Sequence, residues 1–251
     1  MFVCFVALIH SCKRADQVIP APDSKYSGKI YYTSFCYEYD STSNFNYKQP
    51  IFYNASAQFF KEPINRQLEI VGDLMIGNYL VTFSNMYSEY CFTSTQRNDS
   101  LNLFQFGKKI NFSISGGGDY SPVFATVYVP KVIKIYSKNE PYQEHSKKDS
   151  MVIFWNPDPA NATVEIDLMY DGTFSHSIDS TLDANPYYLD PIIVSDNGQY
   201  TIPASFFTQF KPGSWINFLV TRNGHGEMLS NNKWIEINAT TSSEFQRSIV
   251  N

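Results

Sequence analysis

Proton transfer near neutral pH would fall first to histidine, and this chain of 251 residues has four. Beyond the first dozen residues these are His145, His176 and His225. Serine nucleophiles abound, but no Gly-x-Ser-x-Gly elbow is present to expose one at a strand-to-helix turn. A catalytic triad is defined by geometry, so abundant Ser and Asp do not make one. His176, in Thr173-Phe174-Ser175-His176-Ser177, reads as an exposed strand residue. His225, in Asn223-Gly224-His225-Gly226, reads as the tip of a turn.

Metal chemistry has no more support. His-Glu-x-x-His, paired Cys-x-x-Cys and calcium-loop patterns are all missing. Asp158, Asp167, Asp171, Asp179, Asp183 and Asp190 make an acidic stretch whose oxygens would suit calcium. Aspartate is also a favoured turn residue, and solvated turn carboxylates are the expectation. Gly116-Gly117-Gly118-Asp119 lacks the Lys and following helix of a phosphate loop, so it reads as an inter-strand loop. No catalytic residue, metal or cofactor is expected.

Aromatic side chains are the remaining functional signal. Tyr37 and Tyr39 flank Glu38, and Tyr187-Tyr188 follows Asn185-Pro186. Tyrosines on loops are rigid binding anchors, and their faces stack on sugar rings. The competing role is cross-strand packing.

Strands must position these groups. The chain is 43% hydrophobic and 16% aromatic, with 18 Tyr and 20 Phe, a composition that favours β-structure. Lys109 to Gly116 alternates strictly and turns Ile110, Phe112 and Ile114 inward. Ala55, Ala57 and Phe59 share one face, as do Val164, Ile166 and Leu168. Met151-Val152-Ile153-Phe154-Trp155 reads as a buried strand, and Val132-Ile133-Lys134-Ile135 as another. Asp171-Gly172 and Asp196-Asn197-Gly198 are turns. Pro203 to Phe210 predicts one short helix with Thr201 as a possible cap. Trp215 to Arg222 and Lys233 to Thr240 are the last predicted strands. The expected fold is all-β, two tandem β-sandwich modules covering residues 28–130 and 131–251, with Pro130 at the boundary.

The first residues read as an address. Residues 1–11 are apolar but shorter than the roughly 20 residues that span a bilayer. Leu8-Ile9-His10-Ser11-Cys12 resembles a bacterial lipobox: Ile9, Ser11 and Cys12 match, and His10 is an unusual filler. The expectation is a signal peptide over residues 1–11, lipid on Cys12 and a polar tether over 12–27. In an exported protein the remaining pair, Cys36 and Cys91, could form a disulfide or stay as two buried thiols. The net charge of −5 and the absence of a basic stripe exclude nucleic acid as a partner.

The strand bearing Ile153-Phe154-Trp155, with the alternating strand after it, makes the second module resemble an immunoglobulin or fibronectin type III domain. The antibody-type cysteine pair is missing from it. With the lipobox and the aromatic first module, the whole chain resembles two-module surface lipoproteins of Bacteroidota-type bacteria. That resemblance implies an address on the outer membrane or cell surface, and an architecture, but no activity. The expected function is non-enzymatic: a membrane-anchored lipoprotein that contacts a protein partner, or alternatively a glycan.

Overall fold

The computed structural model describes residues 25–37, 51–63, 67–95, 105–136, 144–171 and 187–251. Among them the first half contains β1 (Tyr26–Tyr37), β2 (Ile51–Phe59), β3 (Leu74–Ile76), β4 (Tyr79–Val81), β5 (Phe83–Ser84), β6 (Glu89–Thr95), β7 (Lys108–Ile114) and β8 (Val123–Val129). There follow β9 (Ile135–Tyr136), β10 (Glu144–Ser146), β11 (Met151–Trp155), β12 (Thr163–Asp171), β13 (Tyr187–Tyr188), β14 (Ile192–Ser195) and β15 (Gln199–Ile202). A short helix, α1 (Ala204–Phe207), precedes the long strands β16 (Trp215–Ser230) and β17 (Lys233–Val250).

The hairpin of β16 and β17 organises the rest. Its turn is Asn231-Asn232, both with positive φ (46° and 63°), which asparagine tolerates and a two-residue hairpin requires. The two strands stay paired from Ser230 opposite Lys233 to Trp215 opposite Ser248. On β17 every second residue from Ile235 to Ile249 is buried. Ile235, Ile237 and Ala239 belong to one apolar core, and Phe245 and Ile249 to another. Thr241 and Ser243 lie buried between them on the same face. One strand face therefore serves two cores separated by a polar seam.

A ten-stranded sheet grows from this hairpin. β1 pairs parallel with β17, and β2, β6 and β5 follow outward from β1. On the other side β12 pairs with β16 and carries β13 and β14. Past the end of β1, β10 pairs parallel with the last residues of β17. Two small sheets complete the sandwich, one in the order β4-β3-β7-β8 and one in the order β15-β11-β9. The first contributes Leu74, Ile76, Ile110, Phe112 and Ile114 to the core that holds Ile30, Ala55, Ala57 and Phe59. The second contributes Ile153, Trp155 and Ile202 to the core that holds Val164, Ile166, Leu168 and Phe218. Each such side chain stabilises the fold by about 1.5–3 kcal/mol relative to exposure.

The all-β expectation agrees with this architecture, and so do the inward faces predicted for β2, β7 and β12 and the burial of Trp155. Several details differ. Residues 30–129 and 133–220 supply the two cores separately, but the last hairpin supplies both, with Met228, Ile235, Ile237 and Ala239 in the first. Asn223 to Gly226, expected as a turn, runs straight through β16. Its glycines answer a tertiary demand, because β16 packs against β8 there. A Cβ on Gly224 would lie 2.4 Å from the Tyr128 carbonyl oxygen, and one on Gly226 2.3 Å from Val127 Cγ2. The strand expected over Val132 to Ile135 pairs only at Ile135 and Tyr136. The helix is one turn, and its cap position is Pro203 rather than Thr201, with no side-chain capping bond.

Candidate functional site

Strand side chains alternate between faces, so the residues between core positions look out from the opposite side of the ten-stranded sheet. On β17 these are Trp234, Glu236, Asn238, Thr240, Ser242 and Glu244, none of them fully buried. The pairing registers align them with neighbours into rows that run across the strands. His225, Asn238, Tyr31 and Ser56 make one row. Asn223, Thr240, Thr33 and Asn54 make the next, and Glu227, Glu236, Lys29 and Gln58 flank the first on its other side. Members of a row stand about 4.8 Å apart, the spacing of hydrogen-bonded strands.

The lysines on this face, Lys25 and Lys29, are paired with carboxylates, while Glu165 accepts from Asn223 Nδ2 at 3.3 Å. Lys29 Nζ is 3.2 Å from Glu236 Oε2, and Lys25 Nζ donates to Glu227 Oε1 at 2.7 Å. The Tyr26 hydroxyl donates to the same Glu227 oxygen, and His225 Nε2 lies 3.6 Å from it. Lys25 also sits 4.6 Å over the Trp234 ring, a cation–π contact. Hydrogen bonds from Lys25 and then Tyr26 hold the Glu227 carboxyl below its ordinary pKa. The bond to Glu227 in turn raises both Lys25 and Tyr26. Beside these pairs, uncharged side chains bond to one another or to a carboxylate. Thr240 Oγ1 donates to Asn223 Oδ1 at 3.2 Å, and Gln58 Nε2 to Glu89 Oε2 at 3.4 Å. Tyr31 remains 40% exposed, and partial burial raises its phenol.

A second polar cluster lies on the inward face, at the seam. Arg222 is completely buried, and its Nε donates to Asp196 Oδ2 at 2.6 Å. Its Nη1 donates to the Lys131 carbonyl at 3.1 Å and its Nη2 to the Asn156 carbonyl. Trp155 Nε1 donates to Asp196 Oδ1 at 2.8 Å. Thr241 Oγ1 donates to the Lys131 carbonyl at 2.9 Å. Asp158, itself buried, accepts from the Lys131 amide and the Tyr128 hydroxyl, both at 2.8 Å. Burial alone would push the Asp158 carboxyl up, but these bonds and one from the Ala160 amide hold it below its ordinary range. Burial and the bond to Asp158 push the Tyr128 phenol up to about 12. This network fastens the segment after Pro130 to the shared sheet. Its charges are spent internally, which makes it a structural joint.

The residues singled out in the sequence fall elsewhere. Cys12 and Tyr39 lie outside the described residues. Tyr37 ends β1 opposite Glu244, and Tyr187 and Tyr188 form β13 opposite Tyr170 and Met169. Of the two readings of Cys36 and Cys91, the register of the strands does not suit a bridge. Cys36 is opposite Ile51 on β2, and Cys91 is opposite Ser56 on the other side of the same strand. That is two strand spacings across and five residues along, roughly 19 Å, against the 4.4–6.8 Å between Cα atoms that a disulfide needs. Of the acidic stretch, Asp158 is at the seam, Asp167 is on the open face and Asp190 is exposed. Among the described residues no three His, Cys, Asp or Glu side chains cluster as metal ligands. His176 lies outside the described residues, while His145 sits on β10 with its ring 4.4 Å from that of Phe207.

Sequence reasoning missed both clusters. The alternation of Trp234, Glu236, Asn238, Thr240 and Ser242 was available as a signal, but the strand was expected to stop at Thr240. Comparison with known proteins adds no name: no family model matches the chain, and no curated protein is significantly similar to it.

Proposed function

We propose that this chain is an exported, membrane-anchored lipoprotein without enzymatic activity, and that it contacts another macromolecule through the open face of its ten-stranded sheet. The observation that carries the reading is the division of that sheet. One face is consumed by two cores, and the other presents aligned rows of half-exposed polar and aromatic groups. A sheet backed by two cores is rigid, and a rigid surface loses little conformational entropy on binding.

The strand order supports an immunoglobulin- or fibronectin-like second half. There β15-β11-β9 opposes β14-β12-β16-β17, with β10 joining β17 in parallel. Sandwiches of this kind are common among cell-surface modules. The anchor rests on the lipobox-like Leu8 to Cys12. The test has two parts. Metabolic labelling with a lipid precursor should mark the wild type and not Cys12→Ser, which should leave the membrane fraction. Crosslinking in the native host, followed by affinity purification, should recover a stoichiometric macromolecular partner. Lipid labelling that survives Cys12→Ser contradicts the anchor, and recovery of the chain alone contradicts the contact role.

A further inference from the structure

We infer that the row His225–Asn238–Tyr31 and its neighbours Asn223, Thr240 and Thr33 form a binding site for a neutral oligosaccharide laid across the strands. The inference rests on the reading of the open face as the contact surface, and it names the chemical class of the partner.

Three observations select that class. First, the cations beside the row are already matched, Lys29 by Glu236 and Lys25 by Glu227, and the Glu165 carboxylate, which accepts from Asn223 Nδ2 at 3.3 Å, adds only negative charge. A phosphate-bearing or strongly acidic ligand would have to break those pairs. Second, the row offers neutral hydrogen-bonding groups at a regular spacing. The Asn238 amide and the Tyr31 phenol make no side-chain hydrogen bond to a described residue, and His225 is exposed. An amide presents two donors and an acceptor, a phenol and an imidazole one of each, which suits a ligand covered in hydroxyls. Third, Tyr31 stands 40% exposed in the middle of the row, where a sugar ring could stack on it. From His225 to Ser56 the row spans three strand spacings, about 14 Å, enough for a short oligosaccharide.

A protein partner fits less well. Protein interfaces are built around an apolar centre. Within the row and its two neighbouring strands the exposed large apolar side chains among the described residues are Tyr31 and Leu229; Ile193 stands four strands from Tyr31 on β14, and Met86 and Tyr87 lie in the turn between β5 and β6 at the opposite edge.

The experiment is a calorimetric titration of the full chain with gluco-, manno-, galacto- and xylo-configured hexaoses, together with retardation on the matching insoluble polysaccharides. The expected result is saturable binding to at least one series. Tyr31→Ala and Asn238→Ala should each weaken it roughly tenfold or more, about 1.4 kcal/mol. Phe124→Ala, which alters a side chain 74% exposed on the four-stranded sheet, should bind like the wild type. Melting curves should show all three variants folded. No saturable binding in any series, or wild-type affinity in both row variants, overturns the inference. If the titrations are flat while a photo-crosslinker at position 238 captures a protein, the oligosaccharide is wrong and the open-face reading survives. If neither occurs, both fall.

Discussion

Arg222 and Asp196 form a doubly hydrogen-bonded ion pair from which solvent is excluded: Nε meets Oδ2 at 2.6 Å, Nη2 meets Oδ1 at 3.0 Å, and both side chains are fully buried. Arg222 comes from the shared hairpin and Asp196 from the turn between β14 and β15, which passes from the large sheet to the small one. The pair ties the second core to the segment after Pro130. A buried ion pair is weak evidence of net stability, but removing one partner strands a charge in the interior. Asp196→Ala is therefore expected to lower the unfolding free energy by about 3–5 kcal/mol. Replacing both residues with apolar ones of similar volume should cost less than that single change. Urea denaturation of the two single variants and the double variant measures this, and strict additivity would mean the pair does not act as a unit.

Trp155 places its ring in the second core and its Nε1 on Asp196. Trp155→Ala removes both, with an expected loss of about 3–5 kcal/mol. Trp155→Phe retains much of the packing and loses the hydrogen bond, so it should fall between the alanine variant and the wild type. Equilibrium unfolding followed by tyrosine fluorescence reports both, and a change near zero for the alanine variant would mean that Trp155 does not pack in the core.

Gly224 and Gly226 let β16 lie against β8. Gly224→Ala would force its Cβ against the Tyr128 carbonyl oxygen and Pro130 Cδ, which stand 2.4 and 2.9 Å from the Cβ position. Backbone cannot rotate away as a side-chain tip can, so a cost of about 1–3 kcal/mol is expected. Asn223→Ala, one residue earlier and facing solvent, should change the thermal midpoint little. Equal midpoints for the two variants would contradict the close approach.

His145 provides a pH dependence. Burial, with its ring against Phe207, lowers its pKa from the ordinary 6.5, although the hydrogen bond to the Asp149 carbonyl opposes this. A histidine whose folded pKa lies below the unfolded value binds fewer protons in the folded state. Its contribution is complete above about pH 6.5 and is lost as pH falls through that value toward the folded pKa. Between pH 7.5 and 5.5 the wild type should therefore lose more stability than His145→Gln. Parallel pH profiles of the urea midpoint would show that His145 is not the group responsible.

Much of the fold was legible because period-two alternation is a local signal. Ile110, Phe112 and Ile114 need no partner strand to declare their common face, and neither do Val164, Ile166 and Leu168. The end of β17 was not legible, because Thr241, Thr240, Ser242 and Ser243 read locally as a polar terminus. They continue the strand because the sheet crosses from one core to the other there. Gly224 and Gly226 carried a genuine local turn signal, overridden by the approach of a strand about a hundred residues earlier. Arg222 had no local signal at all, since its partners Asp196, Lys131 and Asn156 are brought to it only by tertiary structure. The candidate site was hidden for the same reason. His225, Asn238, Tyr31 and Ser56 become neighbours only through three registers, one of them the parallel pairing of β1 with β17, and register across long separations is not written in any single segment.

If the open face of the shared sheet makes the functional contact, site-specific photo-crosslinking will find it. A diazirine amino acid placed at position 238 in the native host is expected to yield a discrete adduct with another macromolecule on irradiation. The same probe at position 124, on the four-stranded sheet, should yield none. No adduct from position 238, or the same adduct from both positions, would contradict the claim.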